Sequence, residues 1–239
     1  MNFFDTTILH FINGFAHRSW TADYLIWWLQ TDGFQKGGII MLFYWGVWFQ
    51  QSEKSAANRE TLICIAVAAI CAIPIARFIA FIAPFRVRPL HVPALHTHLA
   101  YTLTEKTLIN WSSFPSDHAA FFFTFVAGFF FISRRIGLFV LSYVLLIVCL
   151  PRIYLGFHYP TDIIAGAAIG IGVAYLVCIP RVKSAIVQPV LKLMTAHPGP
   201  FYVFLFFYTY QAASAFRWVR DVFDIAFHIT PNVISKLLY

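Results

Sequence analysis

Hydrophobic residues in this chain come in blocks rather than in single amphipathic stripes. The blocks are Gly37–Gln50, Thr61–Pro84, Ala119–Ile132, Ile136–Leu150, Ile163–Ile179 and Phe201–Phe216. A helix needs about 20 apolar residues to cross a bilayer. Thr61–Pro84 has that length, and the other blocks reach it by extending into their flanks, Ala119–Ile132 from near Ser116. The pattern predicts an all-α integral membrane protein with six spans. Residues 1–35 read differently. The stretches "FFDTTILHFINGFAH" and "ADYLIWWLQ" mix Trp, Tyr, His and Asp with aliphatics, which predicts amphipathic helices at the membrane interface. Ala185, Ile186, Val187, Val190, Leu191 and Leu193 form an apolar stripe interrupted by Pro189. They predict an interfacial helix joining two spans. With no internal repeat and no low-complexity linker, the chain reads as one unit in three parts: 1–35, a membrane core at 36–180, and 181–239 with a further span and a tail.

Composition strengthens this picture. The 239 residues are 60% hydrophobic, 19% aromatic and 11% charged, with a mean hydropathy of +0.72. A water-soluble fold cannot hide that much apolar surface. The net charge of +7 would suit nucleic acid in a soluble chain. Here it reads as orientation signals and contacts with anionic groups, with membrane lipids rather than nucleic acid as partners. Cys64, Cys71, Cys149 and Cys178 all lie in apolar runs and read as packing residues. The start of the chain lacks a basic region, so no cleavable signal peptide is expected.

Basic residues in short loops set orientation. Lys54, Arg59, Arg134, Arg135, Arg181, Lys183 and Lys192 fall in loops on one face, assigned to the cytoplasm. The loops Phe85–Phe114 and Arg152–Asp162 then share the other face, yet carry Arg86, Arg88 and Arg152 against the usual bias. Three polar clusters meet there: "FRVRPL", "SSFPSDH" and "PRIYLGFHYPTD". Arginine offers a fork of donors matched to phosphate oxygens. His158 and Asp162 are four residues apart, so a carboxylate can fix one imidazole nitrogen and leave the other as nucleophile. His118 is suited to protonating a leaving oxygen. Ser116 follows Pro115 at a helix start, where a hydroxyl and free N–H groups bind anions. These are the parts of a phosphoryl-transfer site that needs neither metal nor cofactor.

Each residue also has a plainer reading. His10, His17, His197 and His228 suit interfacial side chains. His91, His96 and His98 share one loop, a weak metal-binding pattern. Ser116 can be only an N-cap and Arg152 only a snorkelling charge. For all three clusters the plain readings would have to hold independently on one face.

The motifs Arg88-Pro89, Pro115-Ser116-Asp117-His118 and Arg152, His158, Asp162 resemble the type 2 phosphatidic acid phosphatase superfamily, whose pattern is K-x6-R-P, P-S-G-H and S-R-x5-H-x3-D. The likeness runs from about Thr61 to Ile179. It implies a helical membrane core of six spans and a phosphohistidine mechanism. His158 would attack phosphorus, Asp162 would orient it, and His118 would protonate the leaving group. Arg88, Arg152 and Ser116 would hold phosphate oxygens. Three positions depart: Phe81 replaces the lysine, Asp117 the glycine and Pro151 the serine. Arg86 is the nearest replacement cation for that lysine. Undecaprenyl diphosphate phosphatases of this type look similar at Phe-Pro-Ser-Asp-His and in lacking the lysine. The resemblance therefore implies a polyprenyl diphosphate substrate, hydrolysed at the extracytoplasmic face of the cell (inner) membrane. Phosphatidate or phosphatidylglycerol phosphate, a phosphotransferase and a non-enzymatic lipid-phosphate carrier remain open alternatives. "FRWVRDVFD" and the tail to Tyr239 lie beyond the resemblance, and nothing in them fixes an oligomeric state.

Overall fold

The computed structural model describes residues 2–217. His228, most of "FRWVRDVFD" and the tail to Tyr239 lie outside the described residues. The N-terminal region forms two short helices, α1 (Phe3–Asn13) and α2 (Trp20–Thr31). Asn2 caps α1 by accepting from the Asp5 N–H, and Ser19 caps α2 by accepting from the Ala22 N–H. These caps satisfy donors that a helix start otherwise leaves open. A π-helical turn, Phe34–Gly38, runs into α3 (Ile39–Phe49). The remaining helices are α4 (Ser55–Ile82), α5 (Asp117–Ile132), α6 (Arg134–Tyr143), α7 (Leu150–Tyr154), α8 (Pro160–Val177), α9 (Pro180–Ala196) and α10 (Pro198–Ala213). A second π-helical turn, Val144–Cys149, joins α6 to α7 in one continuous rod.

Among the described residues, three helices are long and apolar enough to cross a membrane: Ser55–Ile82, Arg134–Tyr154 and Pro160–Val177. Of the six hydrophobic blocks, three thus lie in helices of full spanning length. The other three blocks fold into shorter helices, α3 with 11 residues and α5 and α10 with 16 each. Polar capping is the reason for α5: Ser116 stops it at the mouth of the site, where its hydroxyl accepts from the Ala119 N–H.

Helix α5 is the centre of the bundle, packed by α4, α6 and α8, and every residue from Asp117 to Phe129 is buried. Lipid is as apolar as a helix face, so close packing rather than water exclusion holds such helices together. Small residues supply it. A Cβ at Gly166 would stand 2.3 Å from the Ser116 carbonyl oxygen, and one at Gly170 would stand 2.2 Å from that of Ala120. This Gly-x-x-x-Gly groove lets α8 lie directly on the first turns of α5, the turn that carries His118. Helix α10 is pinned to α3 and α4 through Trp45 Nε1 donating to Thr209 (3.1 Å) and Tyr208 donating to the Ala66 carbonyl (3.0 Å). In α9 only Val187 is fully buried, as expected of an amphipathic helix with one seated face. Lys183 pairs with Glu60 at 2.9 Å beside it.

The N-terminal helices are not a loose apron. Asp5, Asn13, Asp23, Gln30 and Lys36 are all buried, and each reaches another segment. Asn13 donates to the carbonyls of His98 (3.0 Å) and Tyr154 (2.8 Å). Asp23 accepts from Tyr154 Oη (2.6 Å) and the Tyr101 N–H (2.8 Å). Gln30 Nε2 donates to the carbonyls of Ile147 and Val148, both at 3.1 Å. These carbonyls belong to the π-helical turn, whose widened ladder leaves acceptors to be satisfied.

Candidate active site

The three polar clusters converge because backbone hydrogen bonds stitch their loops together. The Ser113 N–H donates to the Arg86 carbonyl (2.9 Å), the Leu90 N–H to that of Gly156 (3.0 Å), and the Ser116 N–H to that of Asp162 (3.1 Å). Gly156 adopts φ +68°, and a Cβ there would press on Leu90 at 3.0 Å. Only glycine takes this conformation without strain, so it allows the turn after Arg152 to meet the Arg88–Leu90 segment.

His158 sits at the junction, 2% exposed. Its Nδ1 is 2.8 Å from the Ser113 carbonyl oxygen and 3.7 Å from Asp162 Oδ2. A carbonyl can only accept, so Nδ1 carries the proton and Nε2 presents its lone pair. Nε2 lies 3.5 Å from Arg88 Nη1. The sequence reading gave Asp162 the task of fixing the ring. In the structure the ring's direct hydrogen bond goes to Ser113, and Asp162 stands just behind it. Its Oδ2 accepts from the Tyr159 N–H (2.8 Å), closing a capping box on α8, and its Oδ1 accepts from Arg86 Nη1 (2.5 Å). Burial first, with Arg88 and Arg152 adding to it against the pull of Asp162, lowers the His158 imidazolium pKa to about 4. The ring is therefore neutral through the physiological range. Titration of the His158 ring, followed by nitrogen NMR of histidine-labelled protein, is expected near pH 4. A midpoint near the ordinary imidazole value would show that the ring is not buried as described.

Arg88 is held by three carbonyls. Its Nε donates to Trp111 (3.0 Å), Nη1 to Phe157 (2.7 Å) and Nη2 to Ser112 (3.2 Å). It ties the loop before α5 to the loop before α8, and burial lowers its pKa to about 10, so it stays charged at neutral pH. Arg88, Arg152, His118 and His158 all line one cavity of about 260 Å³. Ser116 is fully buried at the start of α5 and does not line it. Neither does Arg86, whose guanidinium is locked between Asp5 (2.8 Å) and Asp162 (2.5 Å).

The cavity also holds Asp117 and three residues that the motif reading passed over: Lys36, Arg77 and Arg217. Asp117, at the glycine position of the motif, bridges two partners. Its Oδ1 lies 2.9 Å from His118 Nδ1 and its Oδ2 2.7 Å from Arg77 Nη2. Arg77 also lies over the Trp111 ring at 4.4 Å, a cation–π geometry. Phe81, at the motif's lysine position, is 86% exposed and takes no part. The positive charge comes instead from Arg77, one helical turn earlier on α4. A sequence signal for it existed: Arg77 is the one charge inside the block Thr61–Pro84, and an ionisable residue within a span marks a functional site by default. Lys36, 2% exposed, sends its ammonium to the Gln30 carbonyl at 3.0 Å. Among the described residues no group of three His, Cys, Asp or Glu side chains is placed to hold a metal. His91, from the loop that suggested one, instead contacts the Thr107 carbonyl through Nε2 at 2.8 Å.

The model of the PAP2 superfamily matches residues 59–185. That is more than half of the chain, and it contains all three motif loops. The chain belongs to the PAP2 superfamily. Neither a curated protein nor a solved structure matched it. As a member of the PAP2 (type 2 phosphatidic acid phosphatase) superfamily, it is a membrane-associated lipid phosphatase in general terms, with a lipid phosphate as its partner. The superfamily segment carries His118, His158, Asp162, Arg77, Arg86, Arg88 and Arg152. Lys36, Asp5 and the rest of the N-terminal collar lie outside it.

Proposed function

We propose that this protein hydrolyses a polyprenyl diphosphate such as undecaprenyl diphosphate through a phosphohistidine. His158 Nε2 attacks phosphorus, forming the N–P bond as the bond to the lipid-side oxygen breaks. His118 gives its proton to that leaving oxygen. Water then attacks phosphorus, His118 takes back a proton, the N–P bond breaks, and inorganic phosphate leaves. Arg88 and Arg152 hold the phosphate oxygens and stabilise the charge spread over them in transfer. Ser116 starts the helix whose N-terminus favours the anion. Asp162, close behind His158, offsets the positive charge that the ring gains when bonded to phosphorus. Asp117 holds His118 by one ring nitrogen.

The observation that carries this reading is the His158 ring itself. One nitrogen is fixed on the Ser113 carbonyl, and the other lies beside a guanidinium in a cavity lined by further cations. Lys36, Arg77 and Arg217 line the cavity with Arg88 and Arg152, and even with Arg77 paired to Asp117 this excess of cations over carboxylates favours a diphosphate. The proposal keeps six crossings, formed by α3, α4, α5, the α6–α7 rod, α8 and α10. It places the site at the extracytoplasmic face and takes 36–180 as the catalytic core, with 181–239 an interfacial helix, a further span and a tail.

The test is phosphate release by the purified protein from polyprenyl diphosphate, phosphatidate and phosphatidylglycerol phosphate. Fastest release from the diphosphate is expected. Preference for a monoester lipid would remove the diphosphate assignment, and transfer of label to an added lipid acceptor in place of water would make the protein a phosphotransferase.

A further inference from the structure

Outside the segment that matches the superfamily, Asp5 is tied through Arg86 to Asp162, the carboxylate behind His158. Asp5, on α1, is fully buried and accepts hydrogen bonds at both oxygens. Oδ1 receives the Thr161 N–H (2.9 Å), and Oδ2 receives Thr161 Oγ1 (2.7 Å) and Arg86 Nη2 (2.8 Å). Arg86 in turn donates from Nη1 to Asp162 Oδ1 (2.5 Å) and to Thr161 Oγ1 (2.9 Å). Its guanidinium also lies 4.0 Å from the centre of the Tyr159 ring. The result is a row of carboxylate, guanidinium and carboxylate that ends 3.7 Å from His158 Nδ1.

We infer that Asp5 is a positioning residue for the reaction at His158, acting through Arg86 and Thr161 on Asp162. This rests on the reading of His158 as nucleophile. The physical reason is a division of charge. Arg86 is shared between two carboxylates, so neither is fully neutralised by it. Without the Asp5 charge, Arg86 bears on Asp162 alone, and less negative charge remains to offset the positive ring of the phosphohistidine. Asp5 also fixes Thr161, the residue next to Asp162 in the first turn of α8. A small shift there moves the carboxylate relative to the ring, and misplacement by an ångström is costly in catalysis.

A simple anchoring role for α1 makes a different prediction. Asp23 anchors the same N-terminal region but touches Tyr154, Tyr101 and the His17 N–H, not Arg86 or Asp162. Asp5→Asn and Asp23→Asn should therefore part company. In the full-length protein, Asp5→Asn is expected to lower kcat for phosphate release by about tenfold or more with KM little changed. Asp23→Asn is expected to lower the melting temperature and leave kcat near wild type. Binding of orthovanadate, a tetrahedral oxyanion that takes an additional bond from an imidazole nitrogen, gives a second readout that needs no lipid. It should weaken in Asp5→Asn and hold in Asp23→Asn. If Asp5→Asn does not accumulate, Thr161→Val removes only the hydroxyl link and should lower kcat in the same direction. Equal losses of kcat in the Asp5 and Asp23 variants, or a raised KM at unchanged kcat, would overturn the inference. A wild type that binds orthovanadate but releases no phosphate from any lipid would overturn the phosphatase reading instead, and the orthovanadate affinities of the two variants would then decide on Asp5.

Discussion

His158→Ala is expected to abolish phosphate release, by about a thousandfold or more, with the protein still folded in detergent. The size follows from the chemistry. A nucleophile that makes the covalent bond cannot be replaced by water without losing the two-step path it provides. The ring donates from Nδ1 to the Ser113 carbonyl and faces Arg88 Nη1 at 3.5 Å through Nε2, so its removal leaves one buried acceptor and a modest stability cost. Phosphate release from polyprenyl diphosphate, measured beside the melting temperature, checks both parts. A variant that still turned over at the wild-type rate would sink the phosphohistidine route. On the proposed route the neutral form of His158 attacks, and its pKa is lowered to about 4. The acid limb of kcat/KM assigned to this ring is therefore expected near pH 4, with activity lost as the pH falls through it.

Arg88→Lys is the second large effect, and the conservative exchange is the informative one. Lysine keeps the charge but offers a single ammonium where Arg88 presents a planar fork. That fork spans the carbonyls of Trp111, Ser112 and Phe157. One ammonium cannot reach all three and a phosphate oxygen as well. Activity is expected to fall by about a hundredfold or more, the scale of losing an aimed donor in a transition state. Stability should fall too, because each carbonyl left without a donor costs about 1–3 kcal/mol when buried. The two losses are separable by measuring kcat and the melting temperature of the same preparation. Near-wild-type activity in Arg88→Lys would mean that the charge alone suffices and the fork is irrelevant.

Much of the candidate site was legible in the sequence because it is built from local spacing. The three motifs, the helix start at Ser116 and the i, i+4 relation of His158 and Asp162 are features of short segments. Arg77 was legible as well, as the lone charge in an apolar block, but the motif drew attention to position 81 and then to Arg86. The structure turns that choice round. Arg86 is drawn away from the cavity by two carboxylates, one of them on a helix more than 80 positions earlier in the chain. No periodicity or motif could announce that pairing, because it depends on how α1 docks.

The sequence by itself determined that this is a helical membrane protein, which segments are apolar, and which residues of three loops belong together. Composition and short-range spacing decide those matters, since burial in lipid demands apolar blocks and internally bonded helices. Tertiary structure alone decided which partner holds each functional group. It put the Ser113 carbonyl on His158, Arg77 on Asp117, and Asp5 on Arg86. It also set the helix lengths: among the described residues, three helices are long and apolar enough to cross a membrane. The reason is physical: a buried charge or donor is satisfied by whatever the packing brings within about 3 Å. Which groups come that close depends on the Gly166–Gly170 groove, on the turn at Gly156 and on the docking of α1.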